Sequence, residues 1–438
     1  MTFQSAAALW LIDVLSRKSV GRHYAFLDRS QWWPRHELEK LQVVKLRALL
    51  EHCGRHVPFY RDVMASRGIV PARVADLAML SEFPVIDKSV LRSQWKAFRS
   101  ETDEGLGRVR YSRTGGTTGE PLMVPKDAGV RSAAQAAMFR FQGWMGVGLR
   151  DRKVEVWGAA LRPTRTQELR SALLASVLRT RRVDSFGLGP SSFPGVLRLL
   201  SEWKPALVHG YCLSIVDLAR WITEQGVTVP VRAVSTTVEP LFDEQRQVIR
   251  AAFGCETFDQ YACGESEATA MECAAHEGLH VTEERAVVEL GPEGEVILTD
   301  LDNRAFPLIR YRNGDAAEWS DRGCSCGRQS RMLRRVLGRV GDIIVGLDGQ
   351  RLHPEFFTHL LNETGIAASC DLRRYQVAQE TASRIVWRLV SGPLSQEQRA
   401  TLSAELGRRV GPMDIAIEVV PELPASASGK FRYVVNRS

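Results

Sequence analysis

Between Val154 and Phe253 the chain alternates extended apolar runs with amphipathic ones, and this rhythm constrains the fold more than any other feature. Val154-Glu-Val-Trp157, Ala206-Leu-Val-His-Gly-Tyr211 and Val231-Arg-Ala-Val-Ser235 read as strands. A helix from Ser214 follows the second, and Asp243-Glu-Gln-Arg-Gln-Val-Ile-Arg-Ala-Ala-Phe253 follows the third as another. Alternating strands and helices imply a mainly parallel sheet covered by helices. Upstream, Trp33 to about Arg99 reads as largely helical, and Val130 to Met145 as an Ala-rich helix.

From Arg285 the rhythm changes. Ala286-Val-Val-Glu-Leu290, Gly294-Glu-Val-Ile-Leu298 and Ala316-Ala-Glu-Trp319 are short strands between Gly, Pro and Asp turns, which predicts an antiparallel β-rich subdomain. After Gly338 the pattern is a small α+β unit, with helices Pro354 to Asn362 and Ser395 to Val410 and strands that include Arg384–Leu389 and Ile415–Val420. The fold class expected is therefore α/β. A large N-terminal domain over 1–338 holds mainly parallel sheet and the β-rich subdomain, and a small α+β domain follows over 339–438.

The chain has 438 residues, 44% hydrophobic and 25% charged, which is the composition of an ordinary folded protein. Its net charge of +7 is spread along the chain, and the densest basic piece is Leu178-Arg-Thr-Arg-Arg182, read as a solvated patch. No nucleic-acid reader module accompanies that charge, so a nucleic-acid partner is not expected, whereas a nucleotide or CoA suits a positive field. Ala6-Ala-Ala-Leu-Trp-Leu-Ile-Asp-Val-Leu15 is apolar but interrupted by Asp13 and too short to span a bilayer. It reads as an amphipathic helix, either a docked arm or a peripheral membrane contact. No basic region precedes it, so no secretory signal is expected. Eight cysteines in a chain this long are no disulfide scaffold. They point to a reducing, cytoplasmic setting with some of them on a metal.

Tyr111-Ser-Arg-Thr-Gly-Gly-Thr-Thr-Gly-Glu-Pro121 packs Gly115, Gly116 and Gly119 around Thr114, Thr117 and Thr118. Such a loop turns tightly and offers backbone N–H groups and hydroxyls to one anion, as a polyphosphate requires. It is not the Walker pattern, since no Gly-Lys-Ser/Thr follows. Four further segments come in order. Asp259-Gln-Tyr-Ala-Cys-Gly-Glu-Ser-Glu267 ends a strand, where Tyr261 is placed to stack on a base and Glu265 to hold Mg²⁺ through oxygen. A buried tyrosine beside a solvated glutamate has the same pattern. Thr299–Asp315 ends in Asn313-Gly-Asp315, a turn where a carboxylate accepts ribose hydroxyls or simply closes an Asx turn. Gly338-Arg-Val-Gly-Asp342 offers Arg339 as a planar donor, and Pro424–Arg432 carries Lys430 on a Ser/Gly-rich loop.

In this order the five segments resemble the signature motifs of the adenylate-forming superfamily of acyl-CoA synthetases, most closely the phenylacetate–CoA ligase-like family with its CapK-type members. The resemblance runs from about Phe59 to Arg432 and includes Pro58-Phe-Tyr-Arg61 and Phe83-Pro-Val-Ile-Asp-Lys88. It implies that Thr114 to Gly119 grip the phosphates of ATP, Glu239 borders the adenine, Tyr261 stacks on it, Glu265 binds Mg²⁺, and Asp315 holds the ribose with Arg339 nearby. Lys430 then bridges the α-phosphate and the substrate carboxylate during adenylation, and a mobile C-terminal lid domain turns between half-reactions. The activity implied is activation of an aryl or arylalkanoic acid as acyl-AMP, with transfer to CoA. An amine or sugar acceptor, as in a CapK-like role in a polysaccharide cluster, and nucleotide binding without turnover are the alternatives. The chain departs from the superfamily pattern at Leu122, Ala262, Gly264 and Gly341.

Cys273-Ala-Ala-His-Glu-Gly-Leu-His280 and Cys324-Ser-Cys-Gly-Arg328 supply thiolates and imidazoles, the soft ligands of a closed zinc site. Some members of the family carry a similar set on zinc. That match selects Cys273, His280, Cys324 and Cys326, with His276 as the competing fourth ligand. Trp144, Trp157, His209 and Tyr211 are candidates to line an acyl pocket.

Overall fold

The computed structural model describes residues 3–16, 18–113, 122–158, 165–266, 268–340, 343–352, 354–423 and 431–437. The chain divides into two compact units, Met1–Asn313 with Ala317–Arg335, and Gly314–Ala316 with Val336–Ser438.

The first unit is built on a mixed sheet that has eleven strands among the described residues. Its parallel part runs Thr180–Asp184, Lys153–Trp157, Leu207–Tyr211, Ala233–Thr237, Thr257–Ala262. The Ala233–Thr237 strand is buried along its whole length, as expected where helices cover both faces of a parallel sheet. On one face the helices Cys212–Glu224 and Asp243–Phe253 bury Ile215, Leu218, Ile222, Ile249 and Phe253 against Val154, Val156, Val208 and Val234. Gly254 ends the second helix in the left-handed conformation at φ +65°. On the other face lies the helix Ala128–Trp144, capped by Asp127, whose carboxylate accepts from the Val130 N–H at 2.9 Å. Gly210 has a specific reason to be glycine. A Cβ there would stand 2.1 Å from the Val156 carbonyl oxygen of the neighbouring strand.

The segment expected as an antiparallel β-rich subdomain of the large domain is antiparallel, and it continues this same sheet. Thr257–Ala262 pairs antiparallel with Thr269–Glu272, which pairs antiparallel with Leu279–Val281. Met332–Arg339, Tyr311–Trp319, Glu295–Asp300 and Ala286–Leu290 complete the order. The basic piece Leu178–Arg182, read as a surface patch, enters the edge strand Thr180–Asp184. Arg182 pairs with Glu155 across it, and the Arg181 guanidinium lies 4.1 Å from the Trp203 ring centroid.

The N-terminal helix Phe3–Ser16 buries Leu9 and Ile12 in the core cluster that also holds Val20, Leu27, Ala136 and Ala137, leaving Trp10 67% exposed. Among the described residues, no helix is long and apolar enough to cross a membrane. The second unit holds a four-stranded sheet in the order Asp414–Val419, Arg384–Val390, Arg374–Thr381, Val434–Asn436. Its helices are Pro354–Glu363 and Gln396–Val410, the latter opened by a reciprocal cap between Ser395 and Gln398, and its core is centred on Trp387, Phe357 and Leu402.

One buried ion pair joins the layers of the first unit. Arg140, on the Ala128–Trp144 helix, donates to Glu284 at 2.6 Å and to the Leu27 carbonyl at 3.2 Å, and the Ser30 hydroxyl donates to the same carboxylate at 2.7 Å. Burial alone would raise the Glu284 carboxyl, but the Arg140 charge and these hydrogen bonds hold it below its ordinary value of 4.5. The stability it contributes is therefore present above that value and is lost as pH falls through the lowered native one. Arg140→Leu should cost about 3–5 kcal/mol by stranding the carboxylate. Urea unfolding at neutral pH tests this, and a loss under about 1 kcal/mol would contradict it.

Candidate active site

The next-to-last residue of the Thr257–Ala262 strand is Tyr261, whose hydroxyl accepts from Asn313 Nδ2 at 2.5 Å. The turn after it presents Glu265. One carboxylate oxygen of Glu265 lies 3.7 Å from Lys88 Nζ, and the other accepts from Cys263 Sγ at 3.5 Å. Lys88 opens the helix Lys88–Ser93, which Asp87 caps. The residue before Asp87 is pinned to the Tyr311–Trp319 strand, where Ile86 N–H donates to Arg310 O at 3.0 Å and Arg312 N–H to Ile86 O at 2.8 Å. Lys126, only 2% exposed, donates to the Gly264 carbonyl at 2.6 Å. Lys126 closes the strand Met123–Lys126, which pairs antiparallel with Arg110–Arg113. These two strands flank the Gly/Thr loop. Residues 114–119 themselves, like Gly341 and Lys430, lie outside the described residues.

Glu239 follows the buried Ala233–Thr237 strand and is 6% exposed. Its carboxylate accepts from the Leu213 N–H at 3.5 Å, at the start of the Cys212–Glu224 helix. The chain reaches it through Val238 at φ +83°, a conformation a β-branched residue holds only when its surroundings impose it. In the second unit Asp315 and Arg339 pair at 3.5 Å, and the Val340 N–H donates to the Gly314 carbonyl at 2.8 Å.

Cys273, His280, Cys324 and Cys326 come together, with their ligand atoms all within 4.8 Å of one another. Cys273 Sγ lies 3.5 Å from Cys324 Sγ, and Cys326 Sγ lies 3.4 Å from His280 Nε2. Tetrahedral zinc with bonds of about 2.3 Å to sulfur and about 2.0 Å to nitrogen requires ligand separations of roughly this size, so the donor set and spacing fit the metal. The other ring nitrogen of His280 meets Ser330 Oγ at 3.0 Å, which orients the imidazole. His276 does not join the cluster. It pairs with Glu272 at 3.1 Å and packs on Phe258.

Of the aromatic candidates, Trp157, His209 and Tyr211 meet, with Trp157 stacked 5.7 Å from His209 and 4.8 Å from Tyr211. Trp144 is elsewhere. It donates to Gln31 at 2.7 Å and packs edge-on to His280 at 5.7 Å. Sequence reasoning did not single out Lys126 or Asn313. The only signal for Lys126 is a charged residue ending a run whose other positions fall inside.

Parallel strands whose carboxyl ends carry these side chains, continued by an antiparallel half and followed by a small α+β unit, define the adenylate-forming ligase fold. The chain superposes on 2-hydroxyisobutyryl-CoA ligase, in its postadenylation state in complex with R3-HIB-AMP, with a TM-score of 0.73 at 19% identity, over 93% of this chain and 91% of that one. By sequence it is similar to CapK and to phenylacetate-coenzyme A ligases. It is 22% identical to protein CapK of Staphylococcus aureus over 91% of this chain and 89% of the relative. It is 25% identical to phenylacetate-coenzyme A ligase of Thermus thermophilus over 73% and 74%, respectively. No family model matches the chain.

The segment that leads to Tyr311 holds two neighbouring carboxyls, Asp300 and Asp302. Asp300 is 2% exposed, and its Oδ1 accepts from the N–H groups of Asp302 and Asn303 while Oδ2 has no partner. Burial pushes its carboxyl above the ordinary 3.8 and the Asp302 charge adds to the push, against Arg285 and the two N–H groups. The native state thus keeps a proton that the unfolded chain releases near 3.8, so stability falls as pH rises above that value. Asp300→Asn, which retains the acceptor and stays neutral, should gain stability relative to the parent as pH increases from 5 to 8. A pH-independent difference in thermal midpoint would contradict the shift.

Proposed function

We propose that the chain is an ATP-dependent ligase. It activates an aryl or arylalkanoic acid as the acyl adenylate, releases pyrophosphate, and passes the acyl group to the thiol of CoA. The observation that carries this reading is the Lys126 to Gly264 hydrogen bond. It brings the hairpin that bears the Gly/Thr loop against the segment that bears Tyr261 and Glu265, so a polyphosphate and a base have one place to bind together. In this reading residues 114–119 hold the phosphates, Tyr261 stacks on adenine beside Glu239, Asp315 takes the ribose with Arg339 nearby, and Lys430 neutralises the approach of the acid to the α-phosphate. Glu265 offers the single carboxylate that Mg²⁺ commonly takes alongside substrate phosphates, and the ion would supply charge neutralisation there. Residues 339–438 act as a lid that turns between the half-reactions, with Gly341 free to absorb the rotation. Cys273, His280, Cys324 and Cys326 hold a structural zinc. That none of the eight cysteines forms a disulfide supports a reducing, cytoplasmic setting.

A second reading keeps the adenylation and changes the acceptor to an amine or a sugar. The CapK relative favours it, because that match spans 91% of the chain against 73% for the phenylacetate ligase. AMP formation with CoA, and then with amines and sugars, separates the two.

Acid-dependent exchange of pyrophosphate into ATP is the direct test. Lys430→Ala should lower it by at least ~100-fold while ATP affinity changes far less. Equal loss of both would remove the lysine from its assigned place. Elemental analysis of the purified protein should find about one zinc per chain. Cys326→Ser should lose the metal and melt at lower temperature, and a metal-free parent with an unaltered melt in the variant would refute the structural zinc.

A further inference from the structure

The helix Phe3–Ser16 has two apolar sides, and the fold covers one of them. Leu9 and Ile12 enter the core cluster together with Val20 and Leu27 of the next helix, Val20–Ser30. On the opposite side Ala7, Trp10 and Val14 are exposed, Trp10 by 67% and Val14 by 53%, with the half-buried Leu11 between them. Residues spaced by three and four lie on one helix face, so these four form a continuous apolar stripe. The helix carries a single charged side chain, Asp13, and that carboxylate is engaged at the start of the next helix. It accepts from the Val20 N–H at 2.6 Å and from the Gly21 N–H at 3.0 Å. A helix that is apolar all round belongs in an interior or in lipid. An exposed apolar stripe along such a helix therefore marks a surface that another body covers.

The charges on the neighbouring helix narrow the occupant. The exposed residues of Val20–Ser30 are Arg22, Ala25, Asp28 and Arg29. Arg22, Ala25 and Arg29 share one stripe, turned away from the cluster that takes Val20 and Leu27. Asp28 lies about 100° round the helix from Arg29, and its carboxylate accepts from Gln31 Nε2 at 3.2 Å. An apolar stripe that holds a tryptophan thus runs beside a basic one. A bilayer with anionic headgroups complements both, since the ring and the aliphatic groups enter the boundary between headgroups and acyl chains while the guanidinium groups stay with the phosphates. The net charge of +7 favours the same approach. A second copy of the chain fits less well, because it would bring two basic stripes into one interface. Fourteen residues of helix are too short to span the bilayer, so the contact is peripheral.

We propose that the outward face of Phe3–Ser16, together with the basic stripe of Val20–Ser30, seats the protein on an anionic membrane surface. The inference is independent of the acid-activating reading above. Co-sedimentation of the full chain with vesicles tests it, using pure phosphatidylcholine and an equal mixture of phosphatidylcholine and phosphatidylglycerol. Affinity for the mixed vesicles should exceed that for phosphatidylcholine by at least ~10-fold and should fall as salt is raised. Trp10→Glu should lower affinity for the mixed vesicles by at least ~10-fold. The double variant Arg22→Ala with Arg29→Ala should lower it by about 10-fold or more. No binding to either vesicle, equal binding to both, or undiminished binding in Trp10→Glu overturns the proposal. Thermal melts check that each variant is folded. If Trp10→Glu is not, the double variant decides in its place, and its undiminished binding overturns the proposal. Light scattering of the parent without lipid tests the second copy. A monomer upholds the proposal, and a dimer that Trp10→Glu dissociates overturns it.

Discussion

The buried pairing of Arg140 with Glu284 is the constraint on which much of the first unit depends. Both side chains are 3% exposed, so neither charge has water to fall back on, and the pair persists only because the geometry is good and further hydrogen bonds complete it. The Leu27 carbonyl and the Ser30 hydroxyl supply those bonds, which ties the helix Val20–Ser30 to the Ala128–Trp144 helix and to the turn before Ala286. Once that central helix is fixed, two regions inherit its position. Met138 and Gln142 roof a cavity over the sheet. Trp144, at its end, packs on His280 and receives the Arg328 guanidinium 4.3 Å from its ring centroid. The cavity and the Cys/His cluster are thus set by one rigid element.

The order of the parallel strands does the rest of the positioning. Trp157, Tyr211, Thr237 and Tyr261 stand at or beside the carboxyl ends of neighbouring strands, the margin at which open α/β sheets bind ligands. Two lysines bring positive charge to the same margin. Lys126 is anchored on the Gly264 carbonyl at 2.6 Å, and Lys88 lies 3.7 Å from a carboxylate oxygen of Glu265.

What could be read from the sequence follows the same physics. The parallel strands were legible because burial on both faces demands continuous apolar runs. The Asp243–Phe253 helix matches its expected span because amphipathic spacing and a terminal glycine mark both ends. The strand Thr180–Asp184 was not legible, since an edge strand paired on one side tolerates Arg181, Arg182 and Asp184 in place of that run. The union of the antiparallel segment with the parallel sheet was hidden because it depends on pairings between distant residues, such as Met332 with His280. Among site residues, the Cys/His spacing was legible, but the choice between histidines needed the backbone. His276 adopts φ +54° and turns to Glu272. Trp144 was grouped with Trp157 on residue type alone, and its place on the helix carries it to the Cys/His cluster instead.

The arginine-rich border strand has one more effect. A strand at the end of a sheet exposes unpaired backbone groups that invite another chain to add to it. Here Arg181 and Arg182 occupy that rim, so a second copy approaching side by side would bring like charge against like charge. Growth of the sheet across molecules is thereby discouraged at the strand that, among the described residues, ends the sheet.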